Sequence, residues 1–292
     1  MRLRRLIAGE LRQQLIAQPA ETREAFYEAV LASPAIAAKS RPIDPFADPL
    51  VNRSRPTDST VPLADRVPPE SLWSITADYQ ASTARHVDAI FRALDGAEIS
   101  LGERPAVLDF GCGTGRLLHG MHGRVGGDGT FWGVDQDAAR IDWAQCNLSP
   151  PMSFVTCSTL PHLTFEDRTF DLITAGSVFS HISEMADAWL LELLRVTKVG
   201  GHLYLTIQDE AYLAATRARG DEDWLTPVLA DHWPLLDQLG EVGSIVIDRG
   251  HPDAMVFYDR QSLLKRWSVF AEVVGVVEDA YDAQTAVLLR KR

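Results

Sequence analysis

Three glycines at alternate positions, Gly111, Gly113 and Gly115, follow an apolar run that carries an acid near its end, Val107-Leu108-Asp109-Phe110. Glycine lacks Cβ, so it serves where a chain must turn sharply and where a ligand must lie against bare peptide. From Arg116-Leu117 onward the residues read as the start of a helix. Strand, glycine loop and helix in that order restrict the chain to an α/β architecture whose first strand delivers a binding loop at its carboxyl end.

The spacing decides what the loop can bind. A dinucleotide loop reads G-x-G-x-x-G and places a pyrophosphate on the following helix. Here the last two glycines are one residue too close for that pattern, and Asp109 would repel a diphosphate while favouring an ammonium or a sulfonium. The stretch resembles motif I of the class I S-adenosylmethionine-dependent methyltransferases.

The resemblance continues in order along the chain. Phe131 to Asp135 reads as strand two, followed by a helix over 137–148. Residues 154–159 resemble strand three and the loop that edges the adenine. Phe170-Asp171-Leu172-Ile173 resembles strand four, and Ser177-Val178-Phe179-Ser180-His181 its loop. Residues 191–207, with Gly200-Gly201, resemble the turn into strand five, and residues 273–277 and 285–289 suit strands six and seven. The match spans roughly residues 104–291. It implies a Rossmann-like, seven-stranded, mostly parallel sheet with helices on both faces, an antiparallel last strand and an N-terminal helical extension.

The cofactor implied is S-adenosyl-L-methionine. The resemblance puts Asp109 near its methionine moiety, Gly111 and Gly113 in the loop that binds it, and Asp135 on the ribose hydroxyls. Gln136 is expected beside the adenine, Ser158 and Thr159 along the adenine loop, and Ser177 near the methionine. Cys112 is read as a small filler of the glycine loop and counted with it in the cofactor site. Two positions depart from the family. Val199 replaces a proline before the glycine pair. Ser158 and Thr159 stand where many relatives carry an acid, which leaves the adenine amine to a hydroxyl or a backbone carbonyl.

Formal net charge is −12, from 28 basic and 40 acidic residues, which disfavours a nucleic-acid backbone as partner. With 46% apolar residues the chain can bury a substantial core. Three cysteines without a C-x-x-C suit a reducing compartment, and no apolar run reaches membrane-spanning length. Residues 1–10 have the basic residues of a signal peptide but not its long apolar core, and Glu10 interrupts them. The expectation is a cytoplasmic protein without stable membrane insertion.

Residues 3–17 and 21–31 show helical spacing, and residues 41–69 contain seven prolines, which fit an extended connector. The expected division is an extension over 1–69 and a catalytic domain over 70–292, with an insertion at about 209–259. Helical periodicity returns from Glu70 to Leu94, with Arg85 and His86 near the cofactor roof.

Methyl transfer from a sulfonium needs geometry above all, plus a base where the acceptor is a hydroxyl or an ammonium. His181, at the strand-four rim, is the candidate base; the alternatives are a helix cap or a pocket wall. His119 and His122 face away from the substrate side, and His232 and His251 belong to the insertion. No metal is expected, and Asp171 reads as structural. Trp73 and Tyr79 are candidates for an aromatic lid over the cation. The acceptor expected is a small-molecule, sugar or lipid-linked compound. A non-catalytic cofactor-binding scaffold and a nicotinamide-dependent oxidoreductase are the alternative functions.

Overall fold

The computed structural model describes residues 61–73, 78–126, 128–182, 185–249 and 254–292. The expected helices over 3–17 and 21–31, most of the proline-rich stretch and His251 lie outside them. The sheet is organised around β1 (Ala106–Phe110), which pairs in parallel with β2 (Thr130–Asp135) on one edge and β4 (Phe170–Ala175) on the other. β3 (Ser153–Thr156) extends the β2 side, and β5 (Thr197–Asp209) extends the β4 side. The chain thus turns back across the sheet between β3 and β4. The switch point falls at the carboxyl ends of β1 and β4, where open α/β sheets hold their ligands.

Val107, Leu108, Phe131, Val134, Leu172 and Ile173 are almost fully buried, as strands covered on both faces require. Alternate residues point to opposite faces. Val107 faces a core shared by three helices, α1 (Tyr79–Gly96), α2 (Arg116–Val125) and α3 (Ala138–Leu148). Phe110 points the other way, where Trp189 of α4 (Ala186–Val196) packs with ring centroids 4.5 Å apart. Helices therefore cover both faces, as expected.

Helix α1 starts at Tyr79 rather than at Glu70. Residues Glu70–Leu72 form only a 3-10 turn after Pro68-Pro69, and the true start is set by Asp78, whose side chain accepts the Ala81 N–H at 2.8 Å.

After β5 the chain leaves the sheet through α5 (Glu210–Arg219), the short helices α6 (Leu225–Leu229), α7 (Trp233–Leu236) and α8 (Leu239–Val242), and the ribbon β6 (Ser244–Ile247) and β7 (Met255–Tyr258). A small core of Tyr212, Leu225, Leu229, Leu236, Ile245 and Phe257 holds this excursion together. It returns through α9 (Arg260–Trp267) to the hairpin β8 (Glu272–Tyr281) and β9 (Gln284–Arg290). β9 lies between β5 and β8 and runs against both, the antiparallel last strand of the expected topology. β6 and β7 bring the connected sheet to nine strands among the described residues, because β7 pairs with Gln208 and Asp209 at the end of β5.

Candidate active site

At the switch point Asp109 lies level with Gly133 on β2 and Thr174 on β4. Thr174 Oγ1 donates to Asp109 Oδ1 at 2.8 Å. Asp109 Oδ2 is buried and has no hydrogen-bond partner among the described residues. Burial pushes this carboxyl up to about 7, although the Thr174 hydrogen bond and the Arg116 charge pull it down.

Beyond it the loop glycines all take left-handed backbone, with φ of +74° at Gly111, +55° at Gly113 and +80° at Gly115. A Cβ on Gly111 would collide with Val178, and one on Gly115 would sit 2.7 Å from the Phe154 ring. The loop is tied to the end of β2. Val134 O accepts the Gly111 and Cys112 N–H groups at 2.8 and 3.0 Å. Asp135 accepts from Gly113 N–H through Oδ2 and from Asp137 N–H through Oδ1, both at 2.8 Å. Cys157, after β3, donates its N–H to Asp135 O at 2.9 Å, so one strand end organises the loops after β1, β2 and β3.

Cys112 is buried, its Sγ 3.6 Å from Gly113 O, and burial raises its pKa well above the ordinary thiol range. It fills space against Gly133. Gln136 is exposed beside Asp135. Ser158 and Thr159 are exposed beyond β3, and Ser158 Oγ accepts the Leu160 N–H at 3.2 Å.

The rim after β4 is held differently. Ser177 has φ +57°, and its N–H donates to Thr206 Oγ1 at 2.7 Å. Thr206 in turn donates to Gln284 Oε1 at 2.8 Å, and Gln284 Nε2 donates to Ser177 Oγ at 2.9 Å, closing a ring of bonds between β4, β5 and β9. His181 is exposed. Its Nδ1 lies 2.9 Å from Ala254 O, which can only accept, so Nδ1 carries a proton and, in the neutral ring, Nε2 is the nitrogen with the lone pair. The Tyr258 hydroxyl lies 3.0 Å from both Phe179 O and Ile182 O, and Val256 N–H donates to Ser180 O at 2.8 Å. The excursion after β5 is thereby stitched to the loop that carries Ser177 and His181.

From α1, Tyr79 reaches the glycine loop, its hydroxyl 2.9 Å from Thr114 Oγ1 and its ring centroid 5.5 Å from that of Trp73. His86 is buried and stacks on Tyr281 at 3.9 Å, while exposed Arg85 pairs with Asp282 at 3.0 Å. Arg116 joins this group through His86 and Tyr281. His119 and His122 are partly buried on α2, and burial lowers the pKa of both. His232 sits in a 3-10 turn of the excursion. Asp171 accepts from Ala106 N–H and Lys198 Nζ, each at 2.8 Å, a bracing role. Among the described residues no cluster of three or more His, Cys, Asp or Glu is arranged to hold a metal.

Sequence reasoning missed Thr174, Thr206, Tyr258 and the hairpin-tip residues Tyr281 and Gln284. Each acts across more than 60 residues of chain, so only the strand register reveals it.

Residues 107–201 match the family model described as a methyltransferase domain. The chain is similar to the demethylmenaquinone methyltransferase of Lactiplantibacillus plantarum, 32% identical over 111 residues, covering 37% of this chain and 46% of that protein. It is also similar to the arsenite methyltransferase of Aquipseudomonas alcaligenes, 32% identical over 110 residues, covering 34% of this chain and 32% of that protein. The matched region spans less than half the length of these curated relatives. The solved structure of the PH0226 protein from Pyrococcus horikoshii shares the fold, with a TM-score of 0.50 at 15% identity over 76% of this chain and 95% of that one.

Proposed function

We propose that this chain, whose residues 107–201 match a methyltransferase domain, is a class I S-adenosylmethionine-dependent enzyme that transfers the cofactor's methyl group, by in-line displacement, to a small-molecule, sugar or lipid-linked acceptor. The observation that carries this reading is Asp109 Oδ2, a buried carboxylate oxygen without a partner at the mouth of a glycine cradle. Burying such an atom costs free energy unless something pairs with it, and a cationic ligand is what it lacks.

The residues fit the cofactor on three counts. Asp109 offers an unspent acceptor to a cation. Each Asp135 oxygen takes one backbone N–H and retains a second lone pair, two acceptors suited to a vicinal diol. The backbone at Gly111, Gly113 and Gly115 leaves no side chain between ligand and peptide. Gln136, Ser158 and Thr159 are assigned to the adenine edge, Cys112 to the loop's packing, and Ser177 to the methionyl end.

S-adenosylmethionine, when bound, supplies an electrophilic methyl group on a sulfonium. The protein's contribution is position: effective-molarity effects of this kind are worth about 7 to 11 kcal/mol in the best intramolecular cases. Gln284 and Thr206 fix Ser177, and Tyr258 fixes the loop on which His181 stands. His181 Nε2, left as the acceptor by the Nδ1 hydrogen bond to Ala254 O, takes the proton of a hydroxyl or ammonium acceptor.

The acidic balance of the chain supports a small or glycan-like acceptor over nucleic acid. Among the described residues no helix is long and apolar enough to cross a membrane, and a cytoplasmic location is part of the proposal. The two relatives are named for acceptors as unlike as demethylmenaquinone and arsenite, so the acceptor class is argued from this chain's own features. The test is incubation with methyl-labelled S-adenosylmethionine and a fractionated cell extract. Label should enter the small-molecule or glycan fraction; label confined to nucleic acid, or no transfer to any fraction, overturns the proposal.

A further inference from the structure

Strand β8 ends the sheet beside β9 and, among the described residues, pairs with no other strand. Ten residues long, it carries neither proline nor lysine, residues that commonly guard such an edge. Its register against β9 shifts between Val273 and Gly275 and again between Val277 and Tyr281, which bends the strand without covering it. Among the described residues no backbone hydrogen bond reaches its outer side. Val276 stands 38% exposed on it, and Val269 and Phe270, on the chain that leads into it, are exposed as well. A long apolar edge of this kind is a template for another strand.

The residues of that edge specify the strand that fits. Glu272-Val273-Val274-Gly275-Val276-Val277-Glu278 reads the same in both directions. Two copies laid antiparallel across a two-fold axis at Gly275 therefore set Val274 opposite Val276, Val273 opposite Val277 and Glu272 opposite Glu278, an isologous contact. Facing β-branched side chains are favourable cross-strand pairs, whereas facing glutamates would repel if bare. These two are not bare: Arg290 Nε lies 3.7 Å from Glu272, and Arg260 Nη1 lies 2.6 Å from Glu278. Each end of the contact thus brings two ion pairs together rather than two lone charges.

Gly275 is a second sign. Glycine weakens a strand interior and often marks the close approach of another backbone. Nothing within the protomer asks for it. Its φ lies outside the left-handed range, and a Cβ there would make only ordinary contacts, 3.6 Å from Leu288 and 3.8 Å from Ala97. At a two-fold axis this residue faces its own copy.

We propose that β8 is a homodimer interface, in which two copies of this chain pair their β8 edges antiparallel about Gly275 and join their sheets into one. The strand ends in Tyr281, whose hydroxyl accepts from Arg116 at 2.8 Å beside the glycine loop, so the pairing also braces a wall of the candidate site.

The test is sedimentation equilibrium of the whole chain and of surface variants. The wild-type protein should sediment at twice its chain mass. Val276→Lys puts a charge on the exposed edge and should weaken dimerisation at least about tenfold, with the circular dichroism of wild type. Val242→Lys, at another exposed valine on α8, should leave the dimer intact. Gly275→Cys faces its own copy at a Cα separation that a disulfide can span, and should give a cross-linked dimer under mild oxidation where Val242→Cys gives none. A wild-type monomer at the highest soluble concentration overturns the proposal. So does a dimer that Val276→Lys leaves as tight as wild type, or one that Gly275→Cys fails to cross-link.

Discussion

Asp135 accepts the backbone N–H of Gly113 at 2.8 Å, which makes the end of β2 and the glycine loop one hydrogen-bonded unit. The same carboxylate takes Asp137 N–H. Asp135→Ala therefore removes the proposed ribose acceptor and strips two loop N–H groups of their partners at about 1 kcal/mol each, the low end for a partly exposed site. S-adenosylhomocysteine affinity should fall at least about tenfold, with a melting temperature lowered by roughly 4–8 °C. Asp135→Asn, which retains one carbonyl acceptor, should melt closer to wild type and still bind poorly. Full affinity in either variant contradicts the ribose assignment.

The Asp109 carboxyl titrates at about 7 in the folded protein, above the ordinary carboxylate value of about 4 in the unfolded chain. Because the folded pKa is the higher one, the stabilisation from the held proton is complete below pH ~4 and is lost as pH rises through about 7. The melting temperature of wild type relative to Asp109→Asn should accordingly fall between pH 6 and 8. Ligand affinity runs the opposite way. An ammonium requires the ionised acid, so S-adenosylhomocysteine should bind more weakly at pH 6 than at pH 8 and release a proton on binding near neutrality. Calorimetry in two buffers of different ionisation heat measures that proton, and a pH-independent affinity contradicts the role given to Asp109.

Gly111 and Gly200 share nearly the same φ, +74° and +77°, but not the same surroundings. A Cβ at Gly200 meets nothing within 4 Å, whereas one at Gly111 runs into Val178 of the strand-four loop. Gly200→Ala should cost only the left-handed penalty, about 1–2 kcal/mol. Gly111→Ala should melt lower still and lose S-adenosylhomocysteine binding. Equal melting and equal affinity for the two variants would show that the contact with Val178 does not matter.

His181→Ala should leave S-adenosylhomocysteine affinity within about twofold of wild type while lowering kcat on the acceptor identified by label transfer by roughly 10²- to 10⁴-fold. Unchanged turnover would place the proton acceptor elsewhere, or show that the acceptor gives up its proton without help.

Strands β1, β2, β4, β5 and β9 were legible because strands buried on both faces read as continuous apolar runs bounded by glycine or acid. Asp109 and Asp135 were legible because each stands at the end of such a run. Arg116 was visible as the residue after the third glycine, yet its partners were not. His86 lies on α1, Tyr281 lies at the tip of β8–β9, and the antiparallel pairing of β9 with β5 that carries this tip to the carboxyl rim leaves no local signature. The ring of Ser177, Thr206 and Gln284 was hidden for the same reason. Trp73 and Ile75 continue the apolar spacing of α1 beyond its true start, which the cap at Asp78 decides.

The most direct test of the account is calorimetric titration of the protein with S-adenosylhomocysteine, with NADH as the control ligand. Binding of the thioether at micromolar concentration with none of the dinucleotide is the predicted result. Binding of NADH in its place, or of neither ligand, would contradict the reading of the glycine loop and of the two acids that flank it.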